Sequence, residues 1–236
     1  METMSYHKNK MEDRYMKNFG FTLAEVLITL GVIGVVAAMT MPVLLQNYRN
    51  HVVETRLKKF YSVFNQAIQS SIADNGDFTE WDYFDKRDEE AIELAFDKYL
   101  RPYLKITDTK KIPDKGLIVY YLSDGSAFAY SVSHNRDIMF FPNASDKNLQ
   151  NFSNSDMGVS VFKFCFMPND RHETWKYHYK KGLEPLLYDW DGDENTLYSG
   201  KDFSCRDGSV AHVYCTAIIQ HNGWKIPKDY PKKVKL

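Results

Sequence analysis

Residues 26–48 read VLITLGVIGVVAAMTMPVLLQNY, and no charged side chain interrupts them. A membrane-spanning helix needs roughly 20 mostly apolar residues at ~1.5 Å rise per residue. This run meets that length, whereas the other apolar runs of the chain have only the length of β-strands. The sequence therefore predicts one membrane-spanning segment, at about residues 21–45.

The composition outside this run is that of a soluble domain. The chain has 236 residues, with 30 basic and 31 acidic side chains and a formal net charge of −1. Because nucleic-acid-binding proteins usually carry a basic surplus, we expect no nucleic acid among its partners. Hydrophobic residues make up 44% of the chain, which is enough for a packed core, and three cysteines are too few for a disulfide-dense small protein.

The segment ahead of the apolar run is polar and contains several basic side chains. A basic head followed by an apolar stretch is the pattern of an export signal. One interpretation is a secretory signal peptide, because Val36 and Ala38 satisfy the small-residue rule for cleavage after Ala38. A second is a plain single-pass anchor. A third depends on the residues at the junction.

Gly20-Phe21-Thr22-Leu23-Ala24-Glu25-Val26 opens the apolar run. Here the chain resembles the type IV pilin and type II secretion pseudopilin superfamily, whose signature is a Gly, then Phe, then a Glu at the fifth place of the mature chain. The resemblance implies that residues 1–20 are a leader, cleaved between Gly20 and Phe21 by a membrane prepilin peptidase, and that Phe21 is then N-methylated. Pro42 also falls where many pilins carry a helix-bending proline, and proline removes a backbone donor and clashes one turn back.

Glu25 is an unusual residue for an apolar segment. A carboxylate in a membrane span costs roughly 2.5–3.5 kcal/mol on insertion scales, so it needs a partner or a task. Cleavage after Gly20 creates an α-amine on Phe21. In a bundle of parallel, staggered helices, Glu25 of one subunit meets the amine of the next and sets the axial register, a role that the resemblance implies. The alternative is a Glu that snorkels to the membrane surface.

Beyond Pro42 the pattern becomes that of an amphipathic helix. Apolar residues recur at mostly three- or four-residue steps with charged residues between them, which is typical of a one-sided helix. The apolar positions are Leu45, Tyr48, Val52, Leu57, Phe60, Phe64, Ile68 and Ile72. Asp74-Asn75-Gly76 supplies a stop, since Gly76 is free to take positive φ. We therefore predict a helix over residues 21–76.

Residues 77–236 are predicted to form a globular head of mixed structure. A helix should begin around Asp88, and Pro102 should end it or kink it. Two β-rich runs around Ser123-Asp124-Gly125 predict a hairpin of residues 116–122 and 126–132. Further strands are expected at residues 137–141, 159–167 and around 210–219. The predicted fold class is α+β, with a long N-terminal helix packed on an antiparallel sheet, as in the pilin fold.

An acidic segment runs from Asp189 to Asn195, followed by Gly200-Lys201-Asp202-Phe203. It is not an EF-hand, because its glycine comes early and position twelve is Gly rather than Glu. It resembles the acidic loop of major pseudopilins, in which such turns bind calcium, and this implies Asp189, Asp191, Asp193 and Asp202 as ligands. The alternative is a solvated turn in which the Asp and Asn side chains bond to their own backbone.

The three cysteines leave more than one pairing open. Cys205 and Cys215 flank a hairpin-sized loop and could form a disulfide in an exported head, which would leave Cys165 as a buried thiol. A pairing through Cys165 and a fully reduced state are the alternatives. The basic C-terminal run is expected to be a solvated tail, and the alternative is a contact with an acidic partner or a neighbouring subunit.

No catalytic motif is present, and His172 and His178 alone are a weak indication of a metal or acid–base site. We therefore expect a pilin-like structural subunit, not an enzyme. The resemblance implies a single-pass protein of the bacterial inner membrane with its head outside the cytoplasm, then a periplasmic or cell-surface filament. Implied partners are homologous subunits, the peptidase, an assembly ATPase and a platform protein. The alternative is a membrane-anchored extracytoplasmic binding protein or enzyme whose helix is only a tether.

Overall fold

A computed structural model describes residues 20–81, 88–134, 137–200, 202–206 and 211–236. The chain divides into two compact units, Met1–Leu44 and Leu45–Leu236. One element, helix α1 (Leu23–Asn75), belongs to both units. The sequence predicts a leader that ends at residue 20 and a helical segment that ends at residue 76. These two segment boundaries stay predictions.

In the second unit, helix α1 buries one face, as its pattern predicts. Its buried residues are Val53, Leu57, Phe60, Phe64, Ala67, Ile68 and Ser71. The stripe begins later than expected, because Tyr48 remains 63% exposed. The helix ends as predicted: Gly76 has a φ of 77°, and its N–H donates to the carbonyl of Ile72 at 3.0 Å.

The head contains a six-stranded antiparallel meander in which each strand pairs with its sequence neighbours. The strands are β1 (Ile106–Ile112), β2 (Leu117–Leu122), β3 (Ala127–Ser131), β4 (Asp137–Phe141), β5 (Phe162–Cys165) and β6 (Glu184–Pro185). The predicted hairpin is confirmed as β2 and β3, with Tyr120 opposite Phe128. A long helix followed by an antiparallel sheet is the α+β, pilin-like architecture that the sequence predicts.

Helix α1 packs on one face of this sheet through aromatic rings. The ring of Phe60 lies 4.5 Å from Phe140, 5.3 Å from Phe164 and 5.4 Å from Phe128, measured between centroids. Helix α2 (Glu89–Tyr99) covers the same face, with Phe96 4.1 Å from Tyr120. The helix begins where the sequence predicts, and the Asp88 side chain caps it by accepting from the Glu90 N–H.

The opposite face of the sheet is also covered, which the sequence analysis did not foresee. Strand β2 alternates as a two-faced strand: Ile118 and Tyr120 join the cluster under α1, whereas Leu117 and Val119 join a second cluster. Leu149 of helix α3 (Asp146–Asn151) packs in that second cluster. The sheet is therefore the middle layer of the head.

The expectation of strands around residues 210–219 is wrong. Helix α5 (Cys215–His221) occupies most of that range, and residues 207–210 lie outside the described residues. Short apolar runs are ambiguous between helix and strand, and here the core favours the helix, which buries Ala217, Ile218 and Ile219. The predicted strand at residues 159–167 is confirmed only as the shorter β5.

The C-terminal run is not a solvated tail. Val234 is 1% exposed, and Tyr230 is buried and donates its hydroxyl to the carbonyl of Gly158 at 2.8 Å. Gln46 of α1 donates to the Val234 carbonyl at 3.2 Å. The apolar residues between the lysines therefore fold the run back onto the head and onto α1, while Lys233 and Lys235 stay exposed.

Asn65 of helix α1 forms hydrogen bonds with the segment before β6. Its amide nitrogen donates to the Leu183 carbonyl at 3.0 Å, and its amide oxygen accepts from the Leu183 N–H at 2.9 Å. Gly182 leaves the space for this contact, because a Cβ there would lie 2.1 Å from the Asn65 oxygen. The helix and the far end of the sheet are thus joined by a reciprocal pair of hydrogen bonds.

Candidate processing and assembly segment

The N-terminus of α1 is capped by reciprocal hydrogen bonds between Thr22 and Glu25. The Thr22 N–H and the Thr22 hydroxyl each donate to Oε2 of Glu25 at 2.8 Å. In return, the Glu25 N–H donates to the Thr22 hydroxyl oxygen at 3.2 Å. This is a capping box, in which two backbone donors that the helix leaves open are satisfied. The sequence analysis missed it, although Thr-x-x-Glu ahead of an apolar run is its signature.

The predicted cleavage site lies outside the helix. Gly20 and Phe21 precede the first helical residue, Leu23, and the Phe21 side chain is 86% exposed. Proteolysis favours exposed segments outside regular structure, because a helical peptide bond is occupied by its own hydrogen bonds. Gly20 and Phe21 lie in an exposed, non-helical segment of that kind.

The first part of α1 is apolar on all sides. Among the described residues, α1 is the one helix whose length and composition would allow it to cross a membrane. Its two threonine hydroxyls are satisfied within the helix: Thr29 donates to the Val26 carbonyl and Thr40 to the Val36 carbonyl, each at 2.9 Å. A surface of this kind is stable in lipid or against other apolar helices.

Pro42 lies inside α1, and the helix continues beyond it to Asn75. Proline in a helix removes one donor and crowds the preceding turn, so a bend at this residue stays a prediction. Glu25 and Pro42 therefore lie on the same helix, and they do not form one site.

The acidic segment forms a helix cap. Asp193 accepts from the N–H of Asn195 at 2.9 Å and begins helix α4 (Glu194–Tyr198). Asp191 accepts from the Asp193 N–H at 3.1 Å and from the Thr196 hydroxyl at 2.7 Å. The segment is anchored to the head by Trp190, which is buried and whose indole N–H donates to the Asp193 carbonyl at 3.0 Å.

These contacts bear on the predicted calcium site. No group of three or more His, Cys, Asp and Glu side chains within the described residues is arranged to hold a metal ion. Asp191 and Asp193 direct carboxylate oxygens to donors inside the turn, and Asp189 and Asp202 do not complete a cage with them. As arranged, Asp191 and Asp193 are engaged within the turn and form no calcium cage, and calcium binding by this segment stays a prediction.

Cys205 and Cys215 form a disulfide, one of the pairings that the sequence left open. It joins the segment after α4 to the first residue of α5. Cys165 lies buried in β5, away from this bond. The segment between the two bonded cysteines leads into a helix and not into the second strand of a hairpin.

The two histidines that the sequence singled out have structural roles. The ring nitrogen Nδ1 of His172 accepts from the Thr174 N–H at 3.3 Å and caps a short turn. His178 is fully buried, and its Nε2 accepts from the Leu187 N–H at 3.1 Å. Burial, with a smaller contribution from Lys181, lowers the pKa of His178 to about 3, so the ring is neutral at physiological pH.

Two protein-family models match successive parts of the chain. A model of the prokaryotic N-terminal methylation motif matches residues 15–41, which is the prepilin-type signal of type IV pilins and pseudopilins. A second model, described as a family of unknown function (DUF6613), matches residues 43–234. Neither a curated protein nor a solved structure matches the chain.

Proposed function

This chain belongs to the family of unknown function DUF6613, and from that premise we propose that it is a pilin-like structural subunit, a pseudopilin or minor pilin, that polymerises. One observation carries the proposal. The prepilin-type signal lies on the apolar first part of α1, and the same helix continues as the packed support of an antiparallel sheet head. A helix that is apolar all round and then one-sided suits a subunit that lies first in lipid and then in a filament core.

In the proposed mechanism, prepilin peptidase hydrolyses the peptide bond between Gly20 and Phe21. This frees an α-amine on Phe21, which is then methylated. The amine and the Glu25 carboxylate carry opposite charges in an apolar environment, where such a pair is strongly favoured once both are desolvated. Glu25 of one subunit then pairs with the amine of its neighbour and sets the stagger between the two helices.

The capping box supplies hydrogen bonds to the Glu25 carboxylate before assembly. In the single chain, its carboxylate accepts two hydrogen bonds from Thr22. Such local bonds lower the cost of a carboxylate in the apolar segment. Assembly then exchanges the bonds to Thr22, in whole or in part, for an intermolecular ion pair.

The proposed location is the bacterial inner membrane, with one span and the head outside the cytoplasm. The disulfide between Cys205 and Cys215 supports an exported head, because disulfides persist in oxidising compartments. We propose that an assembly ATPase and a platform protein extract the subunit into a type II secretion or type IV pilus-like filament. The methylation motif favours this structural role over the role of an enzyme on a tether.

Mass spectrometry of the N-terminal peptide of the exported protein tests the proposal. A peptide that begins at a methylated Phe21 is the expected result. A Gly20→Ala variant, expressed in the same cells, is the matched control and should retain the leader. An intact leader in the wild-type protein, or a cut after Ala38, would instead support the tethered binding protein or enzyme.

A further inference from the structure

Two exposed apolar side chains stand out in the second unit of the chain. Among the described residues beyond Tyr48, the large hydrophobic side chains with high exposure are Val63, at 36%, and Leu94, at 71%. Val63 lies on α1 and Leu94 on α2. Each side chain would gain free energy if a partner covered it, because burial removes apolar surface from water.

Leu94 projects from an acidic helix. Its neighbours in α2, among them Ile92, Ala95 and Phe96, are buried, so Leu94 lies on the opposite, outward face. Glu90 is exposed one turn before it, and Asp97 is exposed one turn after it. Helix α2 contains four acidic side chains and one basic side chain. Glu89 and Glu93 pair with Lys111, and Asp97 pairs with Arg101. Glu90 is therefore the acid beside Leu94 that these ion pairs leave to act on a partner.

Val63 lies in a cleft whose polar lining is mainly basic. The cleft has a volume of about 470 Å³ and lies between α1 and the β2–β3 hairpin. Its apolar lining includes Phe60, Val63, Leu104, Leu122 and Phe128.

Three basic side chains, Arg56, Lys59 and Lys105, line the same cleft with one acid, Asp124. Lys59 pairs with the Asp124 carboxylate at 2.7 Å, and Arg56 donates to the backbone carbonyls of Asp124 and Pro142. The basic groups outnumber the acid, which leaves the cleft with a positive field around an apolar floor.

We propose that the cleft of one copy of this chain receives Leu94 of a second copy. Leu94 then buries its side chain against Val63, and Glu90 faces the basic rim at Lys59 and Lys105. The apolar parts and the charges are complementary, which favours a second copy over an unrelated occupant. The inference rests on the proposed function, because it names a contact of the proposed polymer.

The contact is heterologous, since each copy offers two different surfaces. One copy uses its Leu94 and leaves its own cleft open for a third copy. A heterologous contact that does not close into a ring propagates as an open helical filament. Head contacts of this kind would act together with the register set by Glu25 in the helix core.

Cysteine cross-linking of the full chain tests this geometry. A chain carrying both Leu94→Cys and Val63→Cys should give a ladder of covalent multimers after mild oxidation in cells that assemble it. Gln66→Cys, an exposed position lining the same cleft, replaces Val63→Cys if the latter lowers the melting temperature. Background is low, because Cys205 and Cys215 are already bonded and Cys165 is buried.

The matched control combines Leu94→Cys with Lys147→Cys, an exposed position on α3. It should not give a ladder. A covalent dimer from Leu94→Cys alone, in the amount that the double variant gives, would show a symmetric contact and overturn the proposal. Assembled filaments without a ladder from either cleft cysteine would overturn it as well.

Charge reversal gives an independent readout. Glu90→Lys and Lys105→Glu should each reduce the yield of polymer several-fold, and the double variant should restore it, while Lys147→Glu has no effect. If the single variants assemble as the wild type does, this contact is wrong and the proposed function stands. If the wild-type chain is never processed and never polymerises, the proposed function fails, and this contact fails with it.

Discussion

Oε2 of Glu25 lies 2.8 Å from the backbone nitrogen of Thr22 and accepts its hydrogen bond. The acidic side chain that is proposed to pair between subunits is therefore already engaged within its own chain. The local contact is a helix cap, and the intermolecular contact is an ion pair. Because the first needs only an acceptor and the second needs a charge, substitutions can separate them.

We expect Glu25→Gln to insert into the membrane normally and to assemble poorly. The glutamine oxygen still accepts from Thr22, but it cannot form an ion pair with the amine of Phe21. A loss of only ~1.4 kcal/mol per contact would reduce association about tenfold. Membrane fractionation measures insertion, and electron microscopy of sheared filaments measures assembly.

Thr22→Ala is the matched control, because it removes the two hydrogen bonds of the Thr22 hydroxyl and keeps the charge of Glu25. We expect it to assemble better than Glu25→Gln. Filaments that form at wild-type levels with Glu25→Gln, and also with Glu25→Ala, would show that this carboxylate does not set the register.

The neutral, buried His178 makes the head sensitive to acid. Its pKa is about 3 in the folded state and about 6.5 in the unfolded state, so protons bind preferentially to the unfolded chain. Stability should be unaffected above pH 6.5 and should fall between pH 6.5 and 3. The expected loss is about 2 kcal/mol between pH 7 and pH 5, measured by urea denaturation at each pH.

His178→Gln serves as the control for this pH dependence. Its amide oxygen accepts from the Leu187 N–H but does not titrate, so its stability should change less between pH 7 and pH 5. An unchanged pH slope in this variant would assign the effect to other groups.

The disulfide should stabilise the head by closing a short loop in the unfolded chain. Chain-entropy reasoning gives roughly 2–3 kcal/mol for a loop of the size between Cys205 and Cys215. The double variant Cys205→Ala/Cys215→Ala should unfold at correspondingly lower denaturant, with no further change on adding dithiothreitol. A wild-type protein whose stability is equally indifferent to dithiothreitol would contradict this assignment.

Asp193 should contribute to stability as a helix cap. Replacing it by alanine leaves the N–H of Asn195 without its side-chain acceptor, and caps of this kind are worth about 1 kcal/mol. We expect Asp193→Ala to lower the free energy of unfolding by that amount, measured by chemical denaturation. Asp193→Asn should retain most of it, since its amide oxygen still caps.

A calorimetric titration with calcium tests whether the acidic segment binds the ion. A site at Asp189, Asp191, Asp193 and Asp202 requires binding heat that is lost in Asp191→Ala. If the acidic segment acts only as a cap, no heat appears at millimolar calcium, and Asp193→Ala changes stability equally with and without calcium.

The sequence alone predicted the local features of this protein. The junction at Gly20 and Phe21, the charge-free run, and the stop at Gly76 depend on neighbours within a few residues, as does the hairpin turn at Asp124-Gly125. Periodicity over a few turns also placed the buried stripe from Leu57 to Ile68. Short-range hydrogen bonding and alternation of apolar residues are sufficient for such predictions.

Other features required the folded head. The apolar run at residues 215–221 suits a strand as well as a helix, and its helical form follows from burial against the core. The pairing of Cys205 with Cys215 and the return of Val234 to Gln46 join residues that are separated along the chain. The basic cleft at Val63 likewise combines α1 with the hairpin. Long-range packing free energy selects among local alternatives of similar free energy, and one chain segment does not contain that information.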